Sequence, residues 1–268
     1  MTDWDGQIFR IQWQNFSPTI EIREDDGIKS WPLFEQKISW KIGKKYCVGY
    51  WKNGYRPCPN NAEISYGSKC KVCKQLDEYF SCVKCDGSKC LNKGKRKMCM
   101  NDEFYIYLAS FDSLLKVGIS RTYRLRLRLI EQGADFGAKI VRIKDGKIAR
   151  QTEQKIAKTL NIIDRVNGQQ KFNNLFADPN LSLKNLSDGI ERLKKIGMLK
   201  NDAEIFDLRK FYHLEKISAI PKFITKLENK TLNGKIVSLK GNLMIVEADD
   251  DFIAVNTHEL LGRKIKFI

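Results

Sequence analysis

Eight cysteines, Cys47, Cys58, Cys70, Cys73, Cys82, Cys85, Cys90 and Cys99, crowd into one stretch of the chain, and four of them form the knuckles Cys70-Lys-Val-Cys73 and Cys82-Val-Lys-Cys85. A two-residue gap lets both thiolates of a knuckle reach one tetrahedral ion, and paired knuckles are a zinc spacing. Eight thiolates complete two closed four-cysteine sites with no histidine, and the two histidines, His213 and His258, lie far downstream. The simplest pairing is sequential, Cys47, Cys58, Cys70 and Cys73 on one ion and Cys82, Cys85, Cys90 and Cys99 on the other. An interleaved pairing of the knuckles also satisfies the spacing. The competing chemistry is a disulfide framework, which belongs to small secreted domains. Here the opening MTDWDGQIF has neither the basic nor the apolar region of a secretory signal, and no apolar run approaches the ~18 residues of a membrane span. The chain therefore reads as cytoplasmic with no membrane partner, and metal is favoured over disulfides. The segment between the cysteines has few aliphatic residues to hold it folded, so the two zinc ions are expected to be structural.

The positive charge lies in the same place. Of 268 residues 48 are basic and 32 acidic, a formal charge of +16, and residues 41 to 155 carry +14 of it. Two four-thiolate zinc sites would each hold about −2, which still leaves the protein basic. Such a charge points to a polyanionic partner, nucleic acid first. Lys93, Lys95, Arg96 and Lys97 sit within the second cysteine group, and Tyr46, Tyr50, Trp51 and Tyr55 border the first. Phosphate contact from the cations and base stacking on the aromatics favour RNA over DNA.

These residues must be positioned by the elements that follow. Residues 104 to 109 and 114 to 119 read as strands, a helix begins at about 121, another strand covers 138 to 143 and a helix 150 to 160. Leu125, Leu127 and Leu129 repeat every two residues, which is the period of a strand, inside the segment expected to be helical. With Tyr105-Ile106-Tyr107 and Lys116-Val117-Gly118 in order on the two strands, this module resembles the GIY-YIG nuclease superfamily. That resemblance implies roles for four residues. Glu153 would hold one Mg²⁺ on the scissile phosphate, Arg126 would steady the developing charge, Tyr107 would orient or deprotonate water, and Lys116 would bind phosphate as a point charge. The second-motif tyrosine of the superfamily is replaced by Lys116, and its terminal asparagine has no settled counterpart among Asn167, Asn173 and Asn174. Tyr107, Lys116, Arg126 and Glu153 are expected to converge on one concave face, with Arg121, Arg124 and Arg128 adding to the nucleic-acid surface. The chain also resembles an uncharacterised prokaryotic family, a domain of unknown function that joins a multi-cysteine segment to a KVGIxR string and then EQGA. Here these are Lys116 to Arg121 and Glu131-Gln132-Gly133-Ala134, and the likeness extends to Asp164-Arg165-Val166-Asn167 and a glycine-rich β tail.

From Pro179 the sequence turns helical, with Ser187 as N-cap for DGIERLKKIGML and an amphipathic piece in DAEIFDLRKFYHLEKI. The tail shows short β runs split by Asn233-Gly234, Gly241-Asn242 and the turn Asp249-Asp250-Asp251, as in a small barrel. Alternation at Ile8 to Trp13, then TIEIR and ISWKI, gives strands near the start that are expected to pair with those of the tail. The reading is an α+β protein: a β segment at 1–46, a zinc segment at 47–100, a GIY-YIG-like αβ module at 101–176, a helical connector at 177–220 and a small β-barrel-like domain at 221–268 that includes strands from both chain ends. Its first functional reading is a zinc-stabilised RNA-binding protein. An Mg²⁺-dependent endonuclease is the alternative, and a zinc-dependent adaptor for another protein the second alternative.

Overall fold

The structure, a computed structural model, describes residues 4–162, 166–176, 178–249 and 251–268. In chain order its elements begin with β1 (Gly6–Gln14), β2 (Ser17–Glu24), β3 (Gly27–Pro32), β4 (Lys37–Lys45), β5 (Tyr50–Trp51), β6 (Tyr55–Arg56), α1 (Lys71–Leu76), α2 (Phe80–Val83) and α3 (Arg96–Asn101). They continue with β7 (Glu103–Phe111), β8 (Leu114–Arg121), α4 (Leu125–Gln132), β9 (Phe136–Lys144), α5 (Gly146–Leu160), α6 (Gly168–Asn173), α7 (Pro179–Lys195) and β10 (Glu204–Asp207). The tail holds β11 (Lys222–Ile224), β12 (Thr231–Lys240), β13 (Leu243–Ala248), β14 (Asp251–Asn256), α8 (Thr257–Leu260) and β15 (Arg263–Phe267). The chain divides into two compact units, Met1–Phe80 with His213–Ile268, and Ser81–Tyr212, so the cysteine segment is shared between them.

The first unit is built on one mixed sheet of nine strands in the order β11-β14-β13-β12-β4-β15-β1-β2-β3. On β4 the buried Ile38, Trp40 and Ile42 alternate with Lys37, Ser39 and Lys41, the period of a half-covered strand. On β13 the run Leu243 to Val246 is buried without alternation, as expected where both faces are covered. β4 pairs with β12 and β15, and β1 pairs with β15, so strands from both chain ends interleave. The expected barrel is corrected here. Because β4 enters between β12 and β15, and β1 joins β15 to carry β2 and β3, the sheet widens to nine, with β11 and β3 left as its edges among the described residues.

The second unit carries an antiparallel sheet in the order β10-β9-β7-β8. Ile106, Leu108, Val117 and Ala138 on the sheet pack with Ile156 and Leu160 of α5 and with Leu186, Ile190 and Leu193 of α7, all buried. Burying each such aliphatic side chain contributes roughly 1.5–3 kcal/mol, so this layer rather than helix propensity fixes both helices.

One local expectation holds and three change. The helix expected here despite its strand-like alternation is α4, because Leu125, Leu129 and Ile130 are buried together at helical spacing; Gly133, at φ 76, ends it. α5 starts earlier than residue 150, since Asp145 caps it by accepting from the Lys147 N–H at 2.8 Å, which places Glu153 two turns inside. α7 is capped by Asp178 with Pro179 in its first turn, so Ser187 is interior. The segment DAEIFDLRKFYHLEKI is not an amphipathic helix. Its Glu204–Asp207 pairs with β9 as an edge strand, and His213 at φ 55 interrupts the short 3-10 turns that follow. Asp249 lies in a turn, as expected of the acidic triplet, while Asp250, Asp164 and Arg165 lie outside the described residues.

Candidate functional site

Four sulfurs converge in the first unit. The Sγ atoms of Cys47, Cys58, Cys70 and Cys73 all lie within 4.8 Å of one another, with Cys58 and Cys70 at 3.8 Å. A tetrahedron with zinc–sulfur bonds of ~2.3 Å has an edge of about 3.8 Å, so the set has the dimensions of a Zn(Cys)₄ centre. The backbone is bent to serve it. Cys70 caps α1, which puts Cys73 in its first turn, and the Cys73 N–H donates to the Cys70 sulfur at 3.4 Å. The Cys70 and Gly49 N–H groups donate to the Cys47 sulfur at 3.2 and 3.4 Å. Gly49 is required, since at φ 94 a Cβ would lie 2.2 Å from the Arg56 carbonyl oxygen. Asp77 clasps the outside: it accepts from the Trp51 and Tyr79 N–H groups, each at 3.0 Å, and from Lys69.

The electrostatics match a set of thiols that cannot all ionise without a cation. Burial pushes the Cys47 and Cys73 thiols up. Burial also raises Cys58, but the Ala62 and Asn60 N–H groups and its thiol neighbours outweigh that and bring it down to about 7. A divalent ion at the centre would stabilise all four thiolates together. Among the described residues this is the one four-ligand cluster within that distance, and all eight cysteines are free of disulfides.

Cys82, Cys85, Cys90 and Cys99 form a looser set that lines one cavity of about 170 Å³ in the second unit. Burial raises the Cys82 thiol, Asn92 lowers it, and Cys99, Cys85 and Cys90 raise it further. Asn92 bridges two of them, donating to the Cys82 sulfur at 3.6 Å while its carbonyl accepts from Cys90 at 3.3 Å. The set is fastened to the start of α5. Arg96 grips the capping Asp145 through two bonds of 2.6 and 2.5 Å, and a Cβ on Gly146 would lie 2.6 Å from the Cys99 sulfur.

In the αβ module Tyr107 is buried on β7, opposite Gly118 of β8. Its hydroxyl accepts from Gln132 Nε2 at 2.6 Å. Burial pushes the phenol up, more than Arg128 and Gln132 pull it down, and Glu153 adds to the rise. Tyr107 is therefore neutral near pH 7 and suited to donate a hydrogen bond rather than to take a proton. Glu153 is buried on α5 and pairs with Arg150 at 2.8 Å. The structure thus gathers Tyr107, Gln132, Arg128 and Glu153. Arg126, on another side of α4, lies over the Phe211 ring at 5.3 Å, and Lys116 is half-buried on β8 opposite Ala109. Gln132 carried no signal in the sequence beyond its place in the EQGA string. Asn167 caps α6, whereas Asn173 ends that helix and Asn174 follows it.

The basic side chains differ in their freedom. Lys93 and Lys97 are exposed and Lys95 half-buried, but Arg96 is committed to Asp145. Arg121 pairs with Asp102 at 2.7 Å, and Glu131 takes Arg124 at 2.7 Å and Arg128 at 3.8 Å. Arg121 also donates to the hydroxyl of Tyr123 at 3.2 Å, and that ring is 75% exposed. Arg121, Tyr123 and Lys144 line a polar cavity of about 290 Å³. Tyr123 was not singled out in the sequence, where a lone tyrosine among arginines resembles any surface residue.

The fold and sites define an α+β protein with a four-cysteine centre able to bind a metal ion such as zinc. The sequence pattern of the family described as a protein of unknown function (DUF2797) matches residues 35–265, and the chain belongs to that family. No curated protein and no solved structure matches the chain. Among the described residues no helix is long and apolar enough to cross a membrane.

Proposed function

We propose that the protein is a zinc-stabilised, cytoplasmic nucleic-acid-binding protein with a preference for RNA, whose αβ module contacts phosphate. The observation that carries this reading is Tyr123, three-quarters exposed, between Arg121 and Arg124 and sharing a cavity with Lys144; phosphate would have to displace Asp102 and Glu131 from the two arginines, and Asp102 and Glu103 also line that cavity. An exposed ring flanked by cations offers a stacking face for an unpaired base and charge for the phosphates beside it. Lys93 and Lys97 are further exposed cations in the same unit. Two zinc ions belong to this reading, one on Cys47, Cys58, Cys70 and Cys73 and one on Cys82, Cys85, Cys90 and Cys99. The second set lines one cavity without meeting the close spacing of the first.

Binding ranks above cleavage. A neutral Tyr107 is a poor base, Lys116 stands where the resembled superfamily carries tyrosine, and Glu153 is engaged by Arg150. The endonuclease reading keeps one support, the buried carboxylate of Glu153 within electrostatic reach of Tyr107; Glu153 is the residue that would hold Mg²⁺ there, which would supply charge stabilisation at a phosphodiester. Alanine at Lys93, Lys95 and Lys97 should weaken RNA binding about equally across sequences and flatten its salt dependence. Tyr123→Ala should weaken binding to single strands with the salt slope unchanged, because stacking releases no counterions. Unchanged affinity in both variants would reject this surface. Mg²⁺-dependent cleavage by the wild type that is lost in Glu153→Gln would promote the nuclease.

A further inference from the structure

Arg150 belongs to two sites at once. It lines the cavity bounded by Cys82, Cys85, Cys90 and Cys99, and its Nη1 pairs with Glu153 Oε2 at 2.8 Å. The cysteine segment is seated firmly on this part of α5. Gln151 donates to the Gly87 carbonyl at 3.0 Å, and a Cβ on Gly87 would lie 2.8 Å from the Gln151 backbone nitrogen. Arg96 holds the helix cap at Asp145. The guanidinium has five N–H donors in a planar fork, and Glu153 uses one of them in this structure.

Resting on the two-zinc reading above, we infer that Arg150 is an outer-sphere cation of the second metal centre, shared in competition between its thiolates and Glu153. Four thiolates around one zinc carry a net charge of about −2, and a guanidinium at the wall of that cavity offsets part of it by N–H···S hydrogen bonds. Each donor turned to sulfur is one fewer for Glu153. Metal occupancy therefore sets how much of the guanidinium's positive charge faces the buried carboxylate of the αβ module, and by linkage the charge at Glu153 sets how tightly the metal is held. This gives the second cysteine set a role beyond holding its loop: it biases the buried carboxylate that lies within electrostatic reach of Tyr107.

Zinc transfer from the purified full-length protein to a chromogenic chelator tests this, with elemental analysis giving the stoichiometry. Wild type should hold two zinc ions and release them in two phases, with Cys82→Ser removing one phase and so identifying it. Arg150→Met should speed that phase by about tenfold, the lower end of the loss seen when an outer-sphere partner is removed, and leave the other phase unchanged. Glu153→Gln should slow the same phase, since a neutral amide competes less strongly for the guanidinium and more of it turns to sulfur. Opposite signs are the signature, because general loosening of α5 would speed release in both variants. Two zinc ions with the phase unmoved by Arg150→Met, or moved the same way by both substitutions, would overturn the inference and leave the two-zinc reading standing. One zinc ion in the wild type, with Cys82→Ser without effect, would overturn both.

Discussion

Gly118→Ala is the sharpest perturbation of the αβ module. A Cβ on Gly118 would lie 2.3 Å from the Tyr107 hydroxyl and 2.4 Å from its Cζ, distances no real contact tolerates. The ring cannot swing aside, because Tyr107 is 1% exposed and its hydroxyl is held by Gln132 at 2.6 Å. Forcing a methyl into a filled core costs about 1–3 kcal/mol. Moving the hydroxyl off Gln132 adds about 1 kcal/mol for a buried hydrogen bond, so the second unit should lose about 2–4 kcal/mol. With a urea dependence of about 2 kcal/mol per molar, its midpoint should fall by about 1–2 M. The assay can be made specific to one unit. The five tryptophans, Trp4, Trp13, Trp31, Trp40 and Trp51, lie in the first unit. Hydrogen exchange at the amides of β7 and β8 should therefore report the loss, with tryptophan fluorescence following the first unit separately. In a Tyr107→Ala background the same glycine substitution should cost nothing further. A stability change within about 0.5 kcal/mol, the range of an ordinary surface substitution, would refute the claim that this glycine exists to let the tyrosine cross it.

Cys73→Ala should lower the zinc content by one ion and unfold the segment around α1, since structural zinc supplies about 10–16 kcal/mol of apparent binding energy to such folds; elemental analysis with circular dichroism checks it. Arg96 holds the Asp145 carboxyl below its ordinary 3.8. The stability from that pair is complete above 3.8 and lost as the pH falls through the lower folded value, so Asp145→Asn should flatten this part of the acid-unfolding curve. Gln132→Leu should destabilise the second unit by about 1–3 kcal/mol by removing the buried hydrogen bond to the Tyr107 hydroxyl, with denaturant midpoints as the readout.

The first cysteine centre was legible because its ligands are close in sequence and the knuckle spacing encodes tetrahedral reach. The attachment of the second set to α5 was not, since the Arg96–Asp145 pair joins residues 49 apart. Alternation disclosed β2 and β4, but the tail could not reveal that β4 enters between β12 and β15, because sheet order is a property of pairings distant in the chain. The run TYRLRLRLI carries a strand's period of two, yet the helix expected there is what forms. Its leucines are instead set by a helix that buries Leu125, Leu129 and Ile130. Arg128 and Arg126 show the same limit at the site. Two arginines two positions apart fall on different sides of α4, and only the packing decides which one acts on Tyr107. Gln132 illustrates a further case. Its Oε1 is buried without a hydrogen-bond partner among the described residues while its Nε2 fixes the tyrosine, and neither fact has a counterpart in composition or spacing.

The account's central claim, that this zinc-bearing protein binds nucleic acid through phosphate contacts, is tested most directly by the salt dependence of its affinity for a labelled structured RNA. Fluorescence anisotropy of the zinc-loaded full-length protein across a potassium chloride series should give a log affinity that falls linearly with log salt, steeply enough to report several neutralised phosphates at about 0.7–0.9 each. An affinity that stays flat across the series, or no binding at low salt, would contradict the claim and favour a protein partner instead.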